Sequence, residues 1–199
     1  LLQVMIEASK PGVLTSRIDY LLATPFRYPP LRHGSRFGSV HESGMFYGSF
    51  QLDTCLCECA YYRFKFLLDM ESPPPIPLKT SHTMFSVALK TKLALDTRTA
   101  AFDQALIRSK DSYDYTHKVG TRAREIGAHA IIYTSARCDG ENAAVIELEA
   151  IDSVPASDKF AMQSVTAPHA VSFIGAGRLE SFPLSLFLDS DGVFPNIAS

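Results

Sequence analysis

A chain of 199 residues, 46% apolar and 20% charged, is long enough for one domain with a buried core and is ordinary for a globular protein. A formal net charge of −2 with no long basic run argues against a dedicated nucleic-acid or anionic-membrane surface. No stretch approaches the roughly 20 apolar residues of a membrane span. Residues 1–7 lack the basic start and cleavage site of a signal peptide, so a cytoplasmic protein is expected.

Residues 1–10 read as a short helix or strand, ended by Pro11-Gly12. Val13, Leu14, Ile18, Leu21 and Leu22 then recur at roughly helical intervals. Phe26-Arg27-Tyr28 precedes Pro29-Pro30, which predicts an extended path, with Arg27 on an early strand facing a cleft or simply at the surface. Residues 46–48 read as a short strand that turns at Gly48-Ser49. Asp53 is the expected N-cap of a helix running to about Leu68 or Met70. One face of that helix carries Leu52, Leu56, Ala60, Arg63 and Leu67; the neighbouring face carries Cys55, Glu58, Tyr62 and Lys65.

Residues 72–77 are a stiff, proline-rich connector within one domain. Alternation over residues 85–90 and 93–95 predicts a strand with one buried face, closed by Asp96-Thr97. Residues 99–107 read as a short helix. Residues 115–126 read as a longer one, starting near Asp114 or Thr116 and stopped by Gly127. Residues 129–134 and 143–148 form the two arms of an expected hairpin around Cys138-Asp139-Gly140-Glu141. After Pro155 the pattern weakens, and residues 171–174 and 184–188 read as strands or a late helix. Gly175-Ala176-Gly177-Arg178 lacks the third glycine and the βαβ unit of a dinucleotide loop, so a turn is expected. Short strands mixed with a few helices, without sustained βαβ alternation, define an α+β class.

Chemistry concentrates in four places. Gly34-Ser35-Arg36-Phe37-Gly38 holds an arginine between glycines, where backbone can approach a ligand and a guanidinium can grip a phosphate or carboxylate with two parallel bonds. Met45-Phe46-Tyr47-Gly48-Ser49 offers a tyrosine in an aromatic run. Leu56-Cys57-Glu58-Cys59-Ala60 sets a lone carboxylate among apolar residues, a local conflict of the kind that functional sites create. Far along the chain, the apolar run Ile131-Ile132-Tyr133-Thr134 stops at Ser135, with Asn142 shortly after. Each has a structural alternative: an Arg36–Glu58 ion pair, Tyr47 as core packing, Glu58 as a helix surface residue, Ser135 as a turn cap. Cys55, Cys57 and Cys59 suit buried, reduced thiols better than a metal site, because a helix turns the middle thiol away from the other two. Cys138 is read the same way, and no metal is expected.

In this order and with these flanks, Arg36, Tyr47, Glu58 and Ser135 resemble the RES-domain toxins, a family named for its Arg, Glu and Ser. The resemblance spans roughly residues 26–148. Family members often have tryptophan after the arginine, where this chain has Phe37. The resemblance implies one domain with an ADP-ribosyltransferase-like fold: a split, largely antiparallel β core with helices around an NAD cleft. NAD+ is then the substrate rather than a resident cofactor, and its nicotinamide–ribose bond is cleaved by water or by inorganic phosphate. The pyridinium leaves as neutral nicotinamide, so the ribose, which gains oxocarbenium character, is what needs help. By this resemblance Glu58 would stabilise that charge. Arg36 would hold the diphosphate or position the nicotinamide side, Tyr47 would pack on the nicotinamide, and Ser135 would bond its ribose or amide. Arg27 and Asn142 are further candidates for substrate contacts. The implied partners are an Xre-type helix-turn-helix antitoxin that blocks the cleft and a second copy in a homodimer. Transfer of ADP-ribose to a protein, or a decayed NAD-binding module, stay open as alternatives.

Overall fold

The computed structural model describes residues 20–27, 34–152 and 159–195. The elements expected before Tyr20 lie outside the described residues. Helix α1 (Tyr20–Arg27) contains Pro25. Arg27 therefore closes a helix and does not sit on an early strand. The restriction imposed by Pro29 falls on the residue just before it, so it does not forbid helix at Arg27. The Arg27 side chain lies outside the described part of the structure.

Strand β1 (Phe46–Ser49) runs almost directly into α2 (Leu52–Leu68). Gln51 is the N-cap and makes no side-chain capping bond, which corrects the expectation for Asp53. Asp53 instead stands in the first turn, where a negative charge suits the positive end of the helix. There it pairs with Arg178 at 2.6 Å. The buried stripe of α2 is Leu56, Cys57, Ala60, Tyr61, Phe64 and Leu67. Bulky Tyr61 and Phe64 pull that stripe around the helix, leaving Arg63 half-buried at its edge.

The remaining elements are β2 (Leu78–Met84), β3 (Ala94–Asp96), α3 (Gln104–Ile107), α4 (Asp114–Glu125), β4 (Ala130–Thr134), β5 (Glu141–Val145), β6 (Phe160–Thr166), β7 (Ala170–Gly175) and β8 (Arg178–Pro183). They form two four-stranded sheets, ordered β1-β5-β4-β3 and β2-β6-β7-β8. Every named strand pair is antiparallel except β3–β4. The fold is α+β, with a divided and largely antiparallel β core. The expected β4–β5 hairpin is present, and its register sets Asn142 opposite Tyr133 on one side and Ser49 on the other.

Three expectations change. Over residues 85–90 the chain makes only an isolated bridge from Leu89 to Ile151. Phe85, Val87 and Leu89 alternate because they pack on Leu22, Val145, Leu148 and Ile151, and no ladder results. The helix expected over residues 99–107 contracts to α3, because the Asp103 carboxylate accepts the Ala105 and Leu106 N–H groups at 3.0 and 3.2 Å and fixes the start there. At Leu184–Leu186 the chain makes one 3₁₀ turn. The Gly175–Arg178 segment closes the β7–β8 hairpin, as a turn.

α2 packs Leu56, Ala60, Tyr61 and Phe64 against Met162, Val171, Phe173 and Phe187 under the second sheet. It also touches β1 of the first sheet. α4 covers the first sheet through Val119 and Ala123, in one cluster with Phe37, Ile131 and Ala144. A cleft of about 640 Å³ opens beside α2.

Candidate active site

Glu58 projects from the middle of α2 into this cleft and is half-buried. One carboxylate oxygen, Oε1, is fixed twice. The Ser135 hydroxyl donates to it at 2.7 Å and the Asn142 amide at 2.8 Å. Among the described residues Oε2 has no protein partner. Both donors are themselves held. The Asn142 Oδ1 accepts the Ser49 hydroxyl at 2.6 Å, and Ser135 Oγ accepts the Arg137 and Cys138 N–H groups at 3.0 and 3.3 Å. Ser135 is fully buried and Asn142 nearly so. Sequence separations of 77 and 84 residues are closed by the β4–β5 hairpin lying over α2.

Arg36 sits in a tight loop. Ser35 N–H donates to the Gly38 carbonyl at 2.7 Å, and Gly34 has φ of +64°, where a Cβ would meet the Gly38 carbonyl oxygen at 2.5 Å. The His117 ring N–H donates to the Ser35 carbonyl at 2.8 Å, fixing which nitrogen carries the proton. Gly120 of α4 packs so closely on this loop that a Cβ would fall 1.8 Å from the Phe37 carbonyl oxygen. Phe37, in the place of the family's frequent tryptophan, is fully buried and edge-on to Tyr133 at 4.8 Å. Glu42 completes the anchor, accepting Ser39 N–H at 2.8 Å and the Thr121 hydroxyl at 2.7 Å. Partial burial pushes its carboxyl upward, but these bonds and the Arg124 charge outweigh that and hold it below the usual range.

Arg36 is 7% exposed. Its Nη1 donates to the Ile107 and Ser109 carbonyls at 2.9 and 3.1 Å, and the guanidinium lies over the Tyr113 ring. It makes no ion pair with Glu58. Tyr47 lines the cleft, yet its hydroxyl is engaged: it accepts Phe37 N–H at 3.0 Å and bonds Ser35 Oγ at 2.9 Å. Burial pushes this phenol up to about 12 despite those bonds.

The structure thus gathers Glu58, Arg36, Tyr47 and Asn142 on one cleft, with Ser135 directly behind Glu58. One residue escapes the motif reading. Arg137 lines the cleft, is 4% exposed and stacks on Tyr61 with its guanidinium carbon 3.6 Å from the ring centre. Its place three residues past the end of β4 was the available signal. Cys55 and Cys59 also line the cleft, whereas Cys57 is buried against the core, and all four thiols are free. Among the described residues no group of three or more His, Cys, Asp or Glu is placed to hold a metal ion, and no helix is long and apolar enough to cross a membrane.

Fold and site together define an α+β domain that presents an oriented carboxylate and an arginine to a ligand-sized cleft. The family model of the RES domain matches residues 13–166, well over half of the sequence, and the chain belongs to that family. A comparison with curated proteins finds no match.

Proposed function

We propose that this chain consumes NAD+ by cleaving its nicotinamide–ribose bond, with water or inorganic phosphate as acceptor. The observation that carries the reading is the Glu58 carboxylate, pinned at one oxygen by Ser135 and Asn142 and open at the other toward the cleft. A carboxylate fixed in advance stabilises developing positive charge without having to reorganise. Nicotinamide departs neutral, so no general acid is required, and the oxocarbenium-like ribose is the group that gains charge. Glu58 takes the electrostatic role. Ser135 and Asn142 position it and do not themselves need to touch substrate. Arg36 supplies an oriented cation, and the Tyr47 ring forms part of the wall.

In this reading the protein is a cytoplasmic toxin, held in check by an Xre-type helix-turn-helix antitoxin that occludes the cleft, and it works as a homodimer. Purified protein incubated with NAD+, with and without phosphate, is expected to release nicotinamide. Glu58→Gln should slow that release by about 10²–10³-fold, the loss typical of one removed electrostatic stabiliser. Wild-type turnover matched by Glu58→Gln removes the reading. Stable label on a protein acceptor, rather than small-molecule products, would redirect it to ADP-ribose transfer.

A further inference from the structure

Two buried guanidinium groups stand on one short segment of backbone. Arg36 Nη1 donates to the carbonyls of Ile107 and Ser109, and Arg137 Nη1 reaches the next carbonyl, Lys110, at 3.4 Å. Arg108 ties the same segment to the site by donating from Nε to the Ser135 carbonyl at 3.1 Å. Each guanidinium also lies on an aromatic face, Tyr113 for Arg36 and Tyr61 for Arg137. Buried cations ordinarily have an acidic partner. Here neither arginine has an Asp or Glu oxygen within 4.0 Å among the described residues. The Nη2 of Arg137 is buried with no hydrogen-bond partner among the described residues. Two like charges anchored on one backbone segment, one with an unused donor, lack a counter-anion among the described residues.

We propose that Arg137 completes, with Arg36, an oxyanion site whose ligand is a phosphate. The inference rests on the NAD-consuming reading for the identity of the anion. Arg137 spends Nη1 on the Lys110 carbonyl and leaves Nη2 as the donor for a phosphate oxygen, with its plane already set by the stack on Tyr61, a preorganisation that lysine does not reproduce. The backbone of Arg137 is anchored to Ser135 Oγ, and Ser135 to Glu58, so the phosphate is held at a fixed offset from the carboxylate. The phosphate comes either from the diphosphate of the dinucleotide or from free inorganic phosphate acting as acceptor.

The test measures binding of inorganic phosphate and of ADP-ribose to the full chain by calorimetry, at constant ionic strength, for wild type and Arg137→Gln. The substitution is expected to weaken at least one of these ligands tenfold or more while leaving nicotinamide binding unchanged. If phosphate and ADP-ribose exclude each other on the wild type, the site reads the dinucleotide's diphosphate. If they bind together, it holds the acceptor. Should Arg137→Gln fail to fold for want of its stack on Tyr61, Arg137→Lys keeps the charge and tests the fork, with the same loss expected. Wild-type protein that binds neither ligand, or folded variants that bind both as the wild type does, overturn the proposal. The catalytic reading fails separately: protein that binds ADP-ribose through Arg137 but never releases nicotinamide keeps this site and loses that reaction.

Discussion

At the scale of single residues, the site works by denying Glu58 its freedom. Ser135 is fully buried, so its hydroxyl serves the carboxylate and not the ligand. Ser135→Ala should therefore lower kcat for nicotinamide release by about 10- to 100-fold, the usual penalty for a slightly misplaced reacting group, with KM little changed. A rise in KM at constant kcat would show that the hydroxyl contacts substrate after all. Asn142→Asp is expected to be worse, because it replaces a donor 2.8 Å from Glu58 by a second negative charge. Tyr47 makes a different prediction. Its phenol, pushed to about 12 by burial, lies above its unfolded value of about 10. The stability it contributes is thus complete below about pH 10 and is lost as pH rises toward about 12. Unfolding measured across that window should fall more steeply for wild type than for Tyr47→Phe. At neutral pH the same variant should lose about 1–3 kcal/mol, since Phe37 N–H is left without its acceptor. Parallel curves above pH 10 would place the hydroxyl in water.

At the scale of elements, α4 fixes the arginine loop and α2 fixes the carboxylate. The α4 contact depends on one missing methyl group. Gly120→Ala would drive a Cβ into the Phe37 carbonyl, a backbone atom that cannot swing aside. Overpacking of this kind costs about 1–3 kcal/mol. It should also lower NAD+ turnover, by shifting Arg36. Gly127→Ala, at φ of +70° but in open space, should cost only about 1 kcal/mol and leave turnover intact. Equal turnover in the two variants would detach the loop from α4. The elements legible in the chain were α2 and the β4–β5 hairpin, through their apolar runs, and β1 and α4, through the turn and stop residues that bound them. β2 was not, because Lys79, Thr80, Ser81, His82 and Thr83 are polar on both faces although every second residue is sheltered. Residues 85–90 erred the other way, since alternation reports burial and not pairing. In the candidate site, the family motif singled out Arg36, Tyr47, Glu58 and Ser135, which the fold brings to or directly behind one cleft. Arg137 was not legible, because an unmatched guanidinium is a property of its surroundings, which only the folded chain supplies.

At the scale of the molecule, the cleft lies between the near edges of two sheets, with α2 as the shared wall. Its lining comes from the Arg36 loop, from β1 and β5 of one sheet, from α2, and from His82 on β2 of the other. A dinucleotide bound there would tie these parts together, while β8, the opposite edge of the second sheet, stays remote from it. Ligand that binds only the folded state stabilises it by about 2.7 kcal/mol at a hundredfold excess over Kd. With Glu58→Gln to suppress turnover, saturating NAD+ should raise Tm by about 5–10 °C, at the 2–4 °C per kcal/mol expected for a chain of this size. Amide exchange locates the effect. Protection should increase over residues 34–43, in β1, along the first half of α2 and around the β4–β5 turn, and should not change in β8. Segments that open locally gain most from a ligand that bridges them. If NAD+ slows exchange evenly everywhere, or chiefly in β8, the cleft beside Glu58 is not where the dinucleotide sits.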